Sequence, residues 1–210
     1  MKRMFWMVSL VAVLAAPVLA EDMNPPEWWG EPGTTWQGWE FNTPEPNPMP
    51  DWGNNPLGMS PANVSPIGPW MPQKDRQVGV WPLSGIIDVP INNYPEPNPE
   101  KWIWLQLTWQ PQQGGTQPSP MVEEVQWGNA GITTLIESEQ LRNNPLWWHS
   151  TYQIVLPFNP PHEVVRISGD INVSELVIDT RCVPEPGTLV LLATGLLGLL
   201  CYAWRRRSKA

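Results

Sequence analysis

The amino-acid sequence predicts an all-β protein, an antiparallel β-sandwich of jelly-roll type. Three observations carry the prediction. Apolar and polar residues alternate in several runs of the second half, Pro-Gly-Asn clusters punctuate those runs every eight to twelve residues, and a single short stretch carries a helical pattern.

In chain order, a first strand is expected at 34–41. Strands at 78–81 and 85–91 follow. The clearest covers 101–110, where Ile103, Leu105, Leu107 and Trp109 share one face and Trp102, Trp104, Gln106 and Thr108 the other. Residues 122–127 and 132–136 come next, with a short helix around 137–142. In 149–158, Tyr152, Ile154, Leu156 and Phe158 alternate inward. Residues 163–168 and 171–179 complete the set as two strands, joined by Gly169-Asp170. A Pro-Glu-Pro-Asn-Pro segment occurs twice, at 44–48 and 95–99. Proline fixes φ and denies a ladder its donor, so both copies read as rigid loops delivering the chain to a strand.

The chain has 210 residues, with 12 Lys and Arg against 20 Asp and Glu, 2 His, 2 Cys, 15 Trp and 27 Pro. Both ends read as targeting segments. Lys2 and Arg3 precede an apolar run over 4–16, and Val18-Leu19-Ala20 offers small residues to signal peptidase, so 1–20 is expected to be a cleaved signal peptide. The run is too short for a membrane span and is broken by Pro17. Residues 188–204 are uncharged and Leu-rich. As a helix rising about 1.5 Å per residue they reach roughly 25 Å, which suits a thin bilayer. Arg205, Arg206 and Arg207 follow as a cytoplasmic stop, leaving everything before Pro184 outside. Between these ends, 21–182 holds 6 basic against 19 acidic residues, a net charge of −13. That balance excludes a nucleic-acid footprint and docking on anionic lipid.

Pro184-Glu185-Pro186, an apolar helix and a terminal Arg cluster stand in series over 183–210. The series resembles the PEP-CTERM sorting signal of Gram-negative bacteria. The resemblance implies that exosortase, a membrane cysteine protease-transpeptidase, recognises Pro184, Glu185 and Pro186. It also implies transient inner-membrane anchoring through the helix and delivery to the cell surface or an exopolysaccharide matrix. Two further Pro-Glu-Pro triplets, at 44–46 and 95–97, have no helix behind them, so the triplet alone is a weak signal. The alternative is a plain membrane anchor on a Pro-rich stalk. More loosely, a final strand running straight into the signal is similar to other PEP-CTERM surface proteins with sandwich or galactose-binding-like domains.

Composition breaks near Val78. Residues 21–77 contain Phe41, Leu57, Val64 and Ile67 as their only Phe, Leu, Val or Ile, yet hold 6 Trp and 12 Pro. They cannot build a core on aliphatics. Two readings are open: a segment wrapping the 78–182 sandwich core, pinned by its tryptophans, or a disordered Pro-rich leader. Aromatic richness favours wrapping. Cys182 lies beside the sorting signal and Cys201 within its helix, so the mature domain has no internal disulfide to rely on.

The sequence predicts no enzyme and no cofactor. His149 and His162 are the only histidines, no third imidazole or Cys pair completes a zinc site, and no nucleophile-elbow motif is present. Glu123-Glu124 and Glu137/Glu139 read as surface charge. Asp51, Asn54 and Asn55, or Asp170 and Asn172, have calcium-ligand chemistry, which Asx turns explain equally well. The functional alternative to a noncatalytic surface or matrix protein is exopolysaccharide binding. Trp102 and Trp104 share a strand face about 7 Å apart, a spacing suited to stacking on neighbouring sugars. Against it stands packing of the Trp-rich leader over that face, since a large exposed aromatic patch is costly.

Overall fold

The computed structural model describes residues 22–66, 68–93, 100–115, 117–123, 131–183 and 194–197. The expected signal peptide, Pro184-Glu185-Pro186 and Arg205, Arg206 and Arg207 lie outside these residues. So does 188–204, apart from 194–197, which are helical. Among the described residues no helix is long and apolar enough to cross a membrane.

Ten strands form a large antiparallel sheet: β1 (Thr34–Trp39), β2 (Trp52–Asn54), β3 (Asn63–Ser65), β4 (Met71–Lys74), β5 (Gln77–Asn92), β6 (Glu100–Pro111), β7 (Ser119–Glu123), β8 (Ile132–Leu141), β9 (Asn144–Leu156) and β10 (His162–Val183). The spine is β10. Its residues 164–168 pair with β5 on one edge and β7 on the other, while 176–181 pair with β1 and β6. A strand flanked on both edges satisfies its backbone only by pairing, so β-branched residues dominate it. The inward residues are Val165, Ile167, Ile171 and Val173 before a bulge between Val173 and Glu175, and Leu176 and Ile178 after it. One extra residue shifts the side-chain alternation by one, and the bulge thereby keeps both halves of β10 facing the core.

Two expectations need correction. Gly169-Asp170 does not separate two strands. Gly169 pairs with Gly85 inside the unbroken β5–β10 ladder, and its φ of +151°, open only to glycine, lets the strand pass straight through. Residues 137–142 are not helical either. Residues 137–141 belong to β8, and Arg142-Asn143 forms the two-residue link to β9. Cross-strand pairing along nearly all of β8 outweighs the helix propensity of Glu, Gln, Leu and Arg.

The 21–77 region contributes to the same sheet. β1 pairs with β10 through six registered positions, and Trp39 and Phe41 are buried in the common core beside Leu83, Ile103 and Ile178. Trp39 is fully enclosed, with its indole N–H donating to Pro48 O at 3.1 Å. Trp52 lies across Gly38, where a Cβ would sit 2.2 Å from the indole ring, so only glycine fits there. β4 and β5 join at Asp75-Arg76, both left-handed (φ +47° and +73°). That is a two-residue hairpin turn without glycine, held by Gln110 Nε2 donating to Asp75 Oδ2 at 3.0 Å and by Asn144 Nδ2 donating to Asp75 O.

Candidate functional site

The alternation expected for 101–110 holds in β6. Ile103, Leu105 and Leu107 are fully buried, and Trp102, Trp104, Gln106 and Thr108 point to the opposite face. Across the sheet, Trp104 is opposite Asp179 and Gln153, Trp102 is opposite Arg181, and Trp36 of β1 is opposite Asp179. The N-terminal segment binds this face. Trp104 donates its indole N–H to Asn24 O at 2.7 Å, Asn24 N–H donates to Gln106 Oε1 at 2.8 Å, and Asn24 Nδ2 donates to Thr151 Oγ1 at 3.2 Å. Glu31 pairs with Arg181 at 2.8 Å. That guanidinium lies 5.9 Å from the centre of the Trp102 ring, and Trp29 packs on Trp36 at 5.3 Å. Trp102 donates to Glu100 Oε1 at 2.8 Å. Both candidate sugar-stacking tryptophans are therefore half-buried with their indole N–H groups occupied, so ring surface is what they offer a ligand.

Beneath this cover lies Asp179, fully buried, with neither carboxylate oxygen hydrogen-bonded. Burial, reinforced by repulsion from Asp22 and softened by the nearby Gln106 amide, pushes its pKa up to about 8. Asp22 is also raised, chiefly by burial, against the opposing Gln106 Nε2–H···Oδ1 bond. At neutral pH Asp179 is mostly a neutral acid. Sequence reasoning missed it because Val177-Ile178-Asp179 reads as ordinary inside-outside alternation; the residues set against it, Asp22, Trp36, Trp104 and Gln106, are far away in the chain.

His149 sits opposite Thr108 on the same face. Thr108 Oγ1 is 3.2 Å from His149 Nδ1 and donates to Glu175 Oε2 at 3.0 Å, so its hydroxyl proton points away from the imidazole. Burial lowers the His149 pKa, with Glu139 acting the other way. A hydroxyl arranged like this accepts from the histidine and is not activated by it. Glu123 pairs with Arg166, which also grips Asp88 through two bonds of 2.7 Å, and Glu137 and Glu139 are exposed on β8. Asn55 Oδ1 accepts from Leu57 N–H at 3.0 Å, an Asx turn.

A second buried cluster lies at the start of β6. Lys101 and Glu163 are both fully enclosed, with Lys101 Nζ 2.5 Å from Glu163 Oε1. Asn93 completes a triad. Its Oδ1 accepts from Lys101 Nζ and its Nδ2 donates to Glu163 Oε2 and, at 2.7 Å, to Pro160 O. Burial raises the Glu163 pKa, and Lys101 opposes the rise. A signal for this triad was present in the sequence. Lys101 has the parity of Ile103 and Leu105, and Glu163 that of Val165 and Ile167, so both strands carry their charge on the apolar face.

β10 ends at Val183, still paired with Glu100. The next residues open the C-terminal signal, and residues 183–207 match the family model of the PEP-CTERM protein-sorting motif. The chain carries a PEP-CTERM sorting motif. The motif implies an exported protein processed by exosortase, and PEP-CTERM proteins are sorted to the cell surface. No curated protein and no solved structure matches the chain.

Proposed function

We propose that the protein is a noncatalytic component of the cell surface or extracellular matrix, released from a signal peptide at Ala20 and sorted by exosortase. The observation that carries this reading is continuity: the 22-residue central strand β10 ends where the PEP-CTERM motif begins, leaving no separate stalk between domain and signal. A sandwich of jelly-roll type is supported by one core that draws on Leu83 and Ile87 of β5 as well as Ile103 and Leu105 of β6, strands that flank different halves of β10. Replacing Pro184 and Pro186 by Ala is expected to leave a heavier, membrane-retained form in a host containing exosortase. An unchanged mature mass by intact-protein mass spectrometry would count against the reading.

Exopolysaccharide binding at Trp102 and Trp104 is the second reading, favoured by their partial exposure on a polar face with Arg181. On that reading Trp102→Ala and Trp104→Ala abolish retention on the matrix polysaccharide at little cost in stability. If they serve packing beneath residues 22–33, Trp104→Ala costs up to about 3 kcal/mol and wild-type protein shows no retention. Denaturant midpoints and polysaccharide retention on the same variants separate the two.

A further inference from the structure

The geometry points to a covalent modification site: Lys101 and Asn93 are joined by an intramolecular isopeptide bond, formed with Glu163 as proton relay. The three groups such a bond needs are assembled. An amine (Lys101 Nζ) lies against the carbonyl oxygen of a carboxamide (Asn93 Oδ1), and one carboxyl group touches both nitrogens, Oε1 at the attacking Nζ and Oε2 at the departing Nδ2. Lys101 and Glu163 have no exposure, and their strand partners Leu156 and Ile91 are buried apolar residues, so water does not compete for either group. The attack needs a proton passed from Nζ to Glu163 across their 2.5 Å contact, and burial raises the Glu163 pKa, the direction that a carboxyl acting as proton relay requires.

The step balances without a co-reactant. The Nζ lone pair attacks Asn93 Cγ, forming a C–N bond while the carbonyl π electrons move to Oδ1. Glu163 gives its proton to Nδ2 through Oε2 and takes one from Nζ through Oε1. The C–Nδ2 bond then breaks, the carbonyl re-forms, and ammonia leaves. The products are one secondary amide, one ammonia and a protonated, neutral Glu163, which suits a site without water. Cys182 is the only cysteine among the described residues, so no disulfide closes within them. The amide would tie the end of β5 to the start of β6 in an exported protein that has no other covalent brace there.

Tryptic mapping of the full chain, isolated from the surface or membrane fraction, tests this. Arg76, Lys101 and Arg142 define the relevant cleavage sites. An acylated Lys101 resists trypsin, so the expected product is one uncut peptide over 77–142, lighter than its sequence by about 17 Da for the lost ammonia, with fragmentation placing the branch between Lys101 and Asn93. Glu163→Gln, checked for folding by circular dichroism, is expected to restore full mass and cleavage after Lys101. A wild-type peptide over 77–101 released by that cleavage overturns the proposal. This holds whether its mass is full, as for a plain ion pair, or about 17 Da light, as for a succinimide at Asn93. A crosslink persisting in folded Glu163→Gln overturns the relay role.

Discussion

In an Asn93→Ala background, where no amide can form, Lys101→Met is expected to lower the unfolding free energy by about 3 to 5 kcal/mol, because it leaves Glu163 fully enclosed without its cation. The deficit should depend on pH in a defined direction. Burial raises the Glu163 pKa above its ordinary 4.5, and without Lys101 nothing of comparable size opposes that rise. The folded state then holds a proton that the unfolded state has already released, so stability is greatest below the ordinary value and is lost as pH rises through the folded one. Urea midpoints at several pH values check this. Lys101→Met/Glu163→Leu, which removes both charges, is expected to recover much of the loss. A single mutant as stable as the parent at neutral pH would mean that water reaches Glu163.

Asp179 gives the second large effect. Its pKa of about 8 in the folded protein lies far above the ordinary 3.8, so the folded state binds the extra proton between those values. Stability is therefore fully present below 3.8 and falls as pH rises through about 8, by at most roughly 6 kcal/mol at about 1.4 kcal/mol per pKa unit. Asp179→Asn removes the titration, so its stability should change less over this range and exceed the parent's at pH 9. Chemical denaturation of both proteins from pH 4 to pH 9 measures the difference. Parallel curves would place Asp179 in contact with solvent.

The same cover predicts a role for the N-terminal segment. Removing residues 21–33 takes away Asn24 and Glu31, the partners of Trp104, Gln106, Thr151 and Arg181, and with them Asp22, whose charge repels that of Asp179. The deletion should lower the melting temperature and bring the Asp179 pKa toward the ordinary carboxyl range. An unchanged melt would make 21–33 a dispensable tail.

Where strand alternation is strong, the fold was legible. The face split of β6 and the inward Tyr152, Ile154 and Leu156 of β9 follow from period-two patterning alone. The errors have one physical source. Gly169-Asp170 and residues 137–142 have local preferences for turn and helix, and neighbours distant in sequence override them: β5 opposite the glycine, β9 opposite the polar run. The short strands β2, β3 and β4 carry too few residues for any period to register. The Lys101–Glu163 pair was readable in principle from parity, although parity cannot say that two charges on separate strands meet. Asp179 was unreadable because the residues set against it, Asp22, Trp36, Trp104 and Gln106, stand far from it in sequence.

Comparing the surface-exposed mature protein from cells with and without exosortase tests the central claim most directly, with intact-mass and C-terminal peptide analysis as the readout. The account predicts a chain shortened near Pro184-Glu185-Pro186 and lacking 188–210 when exosortase is present, and a longer, membrane-bound chain retaining Arg205, Arg206 and Arg207 when it is absent. A surface protein that keeps those arginines in both strains would contradict it.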